Sequence, residues 1–201
     1  MNSLPVIADN QDVVVKILTE AFTGDPFFTW LFPGETHVES LHRWWEYEAQ
    51  QSTMSPTSEL WVMTDQSSGA LWVAPHGPTE NSQDVEPFIE LMKGLVGPRL
   101  GEVLTVFSEV VAAHPKEPHW YLQAVGTRPE MQGRGSGAAL LKPVLNHCDE
   151  QGLGAYLESS NPRNISFYYR LGFVTTNELS LAGGQAALTC MWRSPQDAQL
   201  G

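Results

Sequence analysis

The feature that most constrains this chain is a run of glycines at the junction of two periodic segments, Gln132-Gly133-Arg134-Gly135-Ser136-Gly137. Residues 119–125 before it read as a strand. Residues 137–150 after it read as a helix, because Leu141, Val144, Leu145 and Cys148 recur at i, i+3, i+4 and i+7. Glycines at such a junction let successive backbone N–H groups converge, in conformations closed to other residues, and the positive end of the following helix favours an anion there. Arg134 adds a cation that can bond a phosphate. We read 132–137 as a phosphate-binding loop on an α/β scaffold. Pro143 falls inside the helix and should remove one hydrogen bond from it.

Two classes of phosphate ligand compete for the loop. Gly133, Gly135 and Ala138 satisfy the dinucleotide pattern G-x-G-x-x-G/A, and Glu158 lies about 20 residues on, where a ribose-binding acid would stand. Against this, residues 127–132, with Pro129 among them, separate the strand from the first glycine. Fewer than 45 residues follow Glu158, too few for the second half of a doubly wound sheet. Gln132 also opens a different pattern, Q-x-x-G-x-G.

Elsewhere the chain alternates short strands and helices. A strand is expected over 4–8, then a helix capped by Asp9 or Asn10 and running to Phe22. Gly24-Asp25-Pro26 breaks it before a short aromatic helix over 27–32. A helix over 35–51 and strands over 59–64 and 70–74 follow, the strands joined by the polar hairpin linker 65–69. Residues 75–84 read as a loop, and two helices fill 85–113, broken at Gly97-Pro98. After the glycine loop and its helix come a strand over 154–159, a helix over 162–171, and a final hairpin of 173–181 and 185–193 around Gly183-Gly184. One α/β domain over 1–201 is the economical reading.

A net charge of −12 argues against a nucleic-acid partner. Residues 1–115 carry 16 acidic and 4 basic residues, and residues 116–201 carry 7 of each. The acidic part could build a pocket for a cation, or could serve solubility alone. No apolar run is long enough to span a membrane, and the N-terminus lacks the charge and apolar core of a signal peptide. Cys148 and Cys190 lie far apart and read as reduced, packed thiols, so a cytoplasmic protein is expected. The six histidines show no paired-ligand spacing, so no metal is expected, and His114 and His119 read as loop or surface residues. Trp30, Trp44, Trp45, Trp61 and Trp72 read first as core, with an aromatic amine pocket as the alternative.

The second informative stretch runs from Asn161 to Phe173. Asn161-Pro162 suits a helix start and Gly172 a helix exit. Asn161, Asn164 and Tyr168 are spaced i, i+3 and i+7, so they would share one face of a continuous helix. Gln132-x-x-Gly135-x-Gly137, then a helix, a strand, and Asn164-x-x-Phe167-Tyr168-x-x-Leu171-Gly172-Phe173 resemble the GNAT (GCN5-related) N-acetyltransferase family. Within it the chain is similar to the puromycin N-acetyltransferase type, through Pro115-Lys116-Glu117-Pro118, Trp120, 156–160, Pro162-Arg163-Asn164 and Cys190-Met191-Trp192-Arg193. The likeness is dense over 114–193 and thin before it.

The resemblance implies a mixed, mostly antiparallel sheet of six to seven strands, splayed at the middle and flanked by helices. It implies acetyl-CoA as co-substrate, held by backbone groups of Val125, Gly126 and Thr127, by the loop Gln132, Gly133, Arg134, Gly135, Ser136 and Gly137, and by Asn161 or Asn164, Phe167 and Tyr168. It implies direct attack by a primary amine of a small, antibiotic-like molecule, cationic or partly aromatic, with Glu158 as base and Tyr168 as acid. On this reading 116–193 serves the acetyl donor and 1–115 the acceptor, in a monomer or homodimer. A non-catalytic acyl-CoA-binding module is the alternative.

Overall fold

The computed structural model describes residues 3–75 and 85–196; the expected loop over 75–84 lies, beyond Pro75, outside them. Seven strands, β1 (Pro5–Ile7), β2 (Ser58–Met63), β3 (Ser68–Val73), β4 (His119–Thr127), β5 (Gly154–Ser159), β6 (Val174–Leu181) and β7 (Ala186–Arg193), form one sheet in the order β1-β2-β3-β4-β5-β7-β6. All neighbours are antiparallel except β4 and β5. The expected mixed, mostly antiparallel sheet is therefore found. The final hairpin folds back so that β7, the last strand, pairs with β5 and leaves β6 at the edge.

Helices cover both faces. On one side lie α1 (Gln11–Phe22), α2 (Pro26–Leu31), α3 (His37–Met54), α4 (Glu86–Val96) and α5 (Leu100–Ala113). α1 starts where Asn10 Oδ1 accepts from the Asp12 N–H at 2.8 Å, and it buries Val14, Val15, Ile17 and Leu18. Phe28 sits against Phe22, Trp44 and Trp45, and Trp44 stacks on Phe107 with ring centres 5.7 Å apart. Trp44 and Trp45 are thus core residues that tie α1, α2, α3 and α5 together; each buried ring contributes on the order of 2–3 kcal/mol through lost apolar exposure. On the other side lie α6 (Ser136–Gln151), which buries Leu140, Leu141, Val144, Leu145 and Cys148 as its periodicity predicts, and α7 (Ile165–Arg170). α6 runs unbroken through Pro143. Trp72 packs in this second core, edge-on to Trp120.

Two local features differ from expectation. The helix expected over 162–171 is split into a 3₁₀ turn, Pro162–Asn164, and α7. Asn161 therefore caps the tighter turn and Asn164 ends it, instead of both sharing an α-helical face with Tyr168. The second is a bulge. Leu71 pairs with Ala124 and Trp72 with Leu122, so Gln123 is an extra residue in β4. Trp120 and Leu122 face the α6 side, whereas Ala124 joins the core on the α1 side. Beyond the bulge β4 follows β3 to Ser68↔Thr127, while its pairing with β5 ends at Tyr121↔Tyr156. The two central strands splay from that point.

Candidate active site

The glycine loop closes at the end of β4. Gly133 and Gly135 have φ of +75° and +83°, left-handed values that would strain any side chain. The N–H groups of Gly133, Gly135, Ser136 and Gly137 donate to no acceptor among the described residues, and α6 has no side-chain cap. Four free donors at a helix start make a site for an anion. Gln132 uses one of its side-chain donors within the protein: its Nε2 bonds the Thr127 carbonyl at 3.2 Å and closes the loop on the strand. Ser136 is tied underneath, its hydroxyl bonded by Ser68 Oγ at 2.9 Å, with Ser68 and Thr127 hydroxyls 2.8 Å apart. Arg134 bonds only the Glu130 carbonyl and pairs with no carboxylate among the described residues, so its charge is free. Phe167 lies beside the loop; a Cβ on Gly137 would stand 3.7 Å from its ring.

Val125, Gly126 and Thr127 form the part of β4 that has β3 on one side and no β5 partner on the other. Gly126 has a separate packing reason: a Cβ there would come within 2.7 Å of Ala21 in α1. Of the two asparagines, Asn161 spends its Oδ1 on the Arg163 N–H at 3.1 Å, as a cap. Asn164 is exposed and makes no side-chain cap.

Glu158 and Tyr168 lie on opposite faces of the sheet. Tyr168 is buried in the α6-side core, and its hydroxyl makes no hydrogen bond among the described residues. Burial, and secondarily the charge of Asp25, push its pKa well up, so it remains a protonated phenol. Asp25 was missed as anything but a helix break. It caps α2 through the N–H groups of Phe27 and Phe28, and its Oδ2 accepts from Ser160 at 2.6 Å, linking α2 to the end of β5. Burial raises the Asp25 pKa, and those bonds oppose it.

On the other face a polar cluster surrounds Glu158. Its side chain is only 6% exposed, and Oε1 lies 3.5 Å from His114 Nδ1 with no hydrogen bond to satisfy it. Tyr121 and Tyr156 stand beside it; burial first, then the Glu158 charge, raises both phenols. Beyond Tyr121, Glu48 of α3 receives a hydrogen bond from Gln123, the bulged residue. Glu48 keeps some exposed surface, and burial pushes its pKa up to about 7, against the hydrogen bond from Gln123. His114 lies in the loop between α5 and β4, as expected, whereas His119 corrects the expectation of a loop or surface role: it opens β4 and is 9% exposed, and the two imidazoles meet at 3.1 Å between Nε2 atoms. A sequence signal for this cluster existed. Residues 119, 121 and 123 of β4 and 156 and 158 of β5 are polar at period two, in central strands that should be apolar on both faces.

The sheet thus opens between two parallel strands, and a loop of free N–H groups follows the open strand. The model of the Acetyltransferase (GNAT) family matches residues 35–173, and the chain belongs to that family. It is similar to an uncharacterized N-acetyltransferase of Schizosaccharomyces pombe, 38% identical over 79 residues, or 38% of this chain and 32% of that one. It is also similar to the mycothiol acetyltransferase of Streptomyces coelicolor, 32% identical over 98 residues, or 47% of this chain and 31% of that one. The matches thus span about a third of those relatives. Among solved structures, a histone acetyltransferase HPA2-related acetyltransferase of Corynebacterium glutamicum covers both chains in full at TM-score 0.72 and 24% identity. Arylalkylamine N-acetyltransferase 2 of Aedes aegypti covers 98% of this chain and 100% of its own at TM-score 0.67 and 13% identity. At these identities the likeness is one of fold.

Proposed function

We propose that this protein moves the acetyl group of acetyl-CoA to a primary amine of a small molecule by direct attack. The observation that carries the reading is the loop at Gly133–Gly137 as a set of unspent N–H donors at the end of a strand whose edge toward β5 is open. The loop and Arg134 would hold the pyrophosphate, and the open edge at Val125, Gly126 and Thr127 would pair with the pantetheine arm as an added strand does. When bound, the thioester supplies an activated acetyl group. Glu158 takes the proton that the ammonium must lose, and Tyr168 supplies one to the leaving thiolate. Asn164, exposed and uncapped beside α7, supports its assignment to the cofactor over Asn161.

For the acceptor, the cleft face with Glu48, Tyr121, Tyr156 and Glu158 favours a cation with an apolar or aromatic body. Together with the puromycin-type likeness of 114–193, this makes an antibiotic-like amine the first to try. We assign 1–115 to the acceptor and 116–193 to the donor, in one domain. Two free, buried cysteines support a cytoplasmic setting. The test is thiol release from acetyl-CoA with a panel of amines, puromycin included. Coenzyme A binding without turnover on any amine would transfer the assignment to a non-catalytic acyl-CoA-binding module. A binding response to NAD alone would restore the dinucleotide reading.

A further inference from the structure

We propose that His114 is a positioning residue that acts through Glu158: its Nδ1 presents a lone pair to Glu158 Oε1, and the two atoms form a slot for the proton that the acceptor ammonium sheds. This rests on the reading of Glu158 as the base.

Hydrogen-bond logic fixes the tautomers. His119 Nδ1 lies 2.6 Å from the Glu117 carbonyl oxygen, which can only accept, so that nitrogen carries a hydrogen. Burial holds the His119 pKa below its usual value, which keeps this ring neutral. A neutral imidazole has one N–H, so His119 Nε2 accepts. Its partner at 3.1 Å is His114 Nε2, which must then donate. In the form with a single N–H, His114 has a bare Nδ1, and that atom faces Glu158 Oε1 at 3.5 Å. Two lone pairs meet there, at a separation longer than a hydrogen bond. One added proton converts the contact into a charge-assisted bond, whichever atom carries it. Glu158 Oε1 is a buried oxygen with no hydrogen bond of ordinary length, and the Tyr121 and Tyr156 hydroxyls interact with the same carboxylate.

The surroundings suit a place where one proton comes and goes. Around the pair stand His119, Glu117, Tyr121, Tyr156 and Cys190, with Glu48 beyond Tyr121. Tyr121, Tyr156 and Cys190 all have raised pKa values, so none ionises near neutrality. Glu48 does titrate near 7, and it is the same in every variant compared below. His114 is 29% exposed against 6% for Glu158, so the histidine opens the enclosed carboxylate to solvent. The protons balance. The ammonium gives its first proton to the slot, and the neutral amine then forms the N–C bond. As the C–S bond breaks, Tyr168 gives its proton to the thiolate, and the second proton lost by the nitrogen replaces it on Tyr168. The first proton leaves through His114, so the net products are amide, free thiol and one proton.

The test is the pH profile of kcat/KM for the amine. His114→Gln keeps an N–H for His119 but cannot take a proton. Turnover at pH 7 should fall about 10- to 100-fold, at or below what a group touching the substrate contributes. The acid limb should move to lower pH, because the slot loses its second base, with the KM for acetyl-CoA unchanged. Added imidazole should restore turnover in His114→Ala. An unmoved acid limb, or full activity in His114→Gln beside an inactive Glu158→Gln, would overturn the role of His114 alone. A fully active Glu158→Gln would instead overturn the reading of Glu158 as base.

Discussion

Arg193, the last residue of β7, is only 5% exposed at its side chain and makes three hydrogen bonds. Nη1 and Nη2 bond the two carboxylate oxygens of Asp149 at 2.7 Å each, and Nε bonds the Leu171 carbonyl at 2.9 Å. One side chain therefore ties the sheet to the ends of α6 and α7. Arg193→Met keeps the apolar stem and removes all three bonds. Breaking a buried pair costs about 3–5 kcal/mol. Asp149, however, stays 21% exposed and keeps a bond from the Gln196 N–H, so water recovers part of the loss. We expect a loss of about 2–3.5 kcal/mol, which for a chain of this size is a fall in Tm of about 5–12 °C. The bonds from Arg193, then the Gln196 N–H, hold Asp149 below its usual pKa near 3.8. A depressed carboxylate stabilises the fold above its unfolded-state pKa, and that contribution disappears as pH falls through the folded-state value. The gap between wild type and variant should therefore be full at pH 7 and close below about pH 4. Urea unfolding by circular dichroism at pH 7 and pH 3.5, with Asp149→Asn to complete a double-mutant cycle, measures both. A loss under about 1 kcal/mol at pH 7, or additive single variants, would refute the argument.

Tyr168→Phe should leave acetyl-CoA binding intact and lower kcat by about 10²-fold or more, measured by calorimetry and thiol release; unchanged turnover removes the phenol from the acid role. Gly135→Asp should abolish coenzyme A binding, since it strains a φ of +83° and places a carboxylate among the free N–H groups; tight binding in that variant would sink the loop assignment. Glu48→Gln should raise stability at pH 8. Its folded-state pKa is raised from 4.5 to about 7, so the wild type loses stability as pH climbs between those values, and the variant should show a flatter profile in chemical unfolding.

The local parts of this protein were legible in its sequence. Turn chemistry and periodicity involve residues a few positions apart, so the glycine junction, the stripe on α6, the capping by Asn10 and the order of strands and helices all follow from neighbours along the chain. The same information placed Glu158 at a strand end and Tyr168 on a short helix. It overextended one helix, because a proline after an asparagine can open either an α-helix or a 3₁₀ turn.

Tertiary structure alone decided what surrounds those residues. The Gln123 bulge shows only when β4 is paired with β3, and it is where β4 leaves β5. Glu48 and Gln123 lie 75 residues apart in sequence, and Asp25 and Ser160 lie 135 apart. Their meeting depends on where α3 and α2 pack, which no local pattern specifies. His119 reads as a loop or surface residue in the sequence because a residue beside a proline carries no mark of the sheet face it will join. The sequence by itself thus determined a glycine loop at a strand-to-helix junction on a family scaffold. Packing determined the environment that sets the charge of Glu48, Tyr168 and His119, because desolvation and long-range contacts exist only once distant elements are assembled.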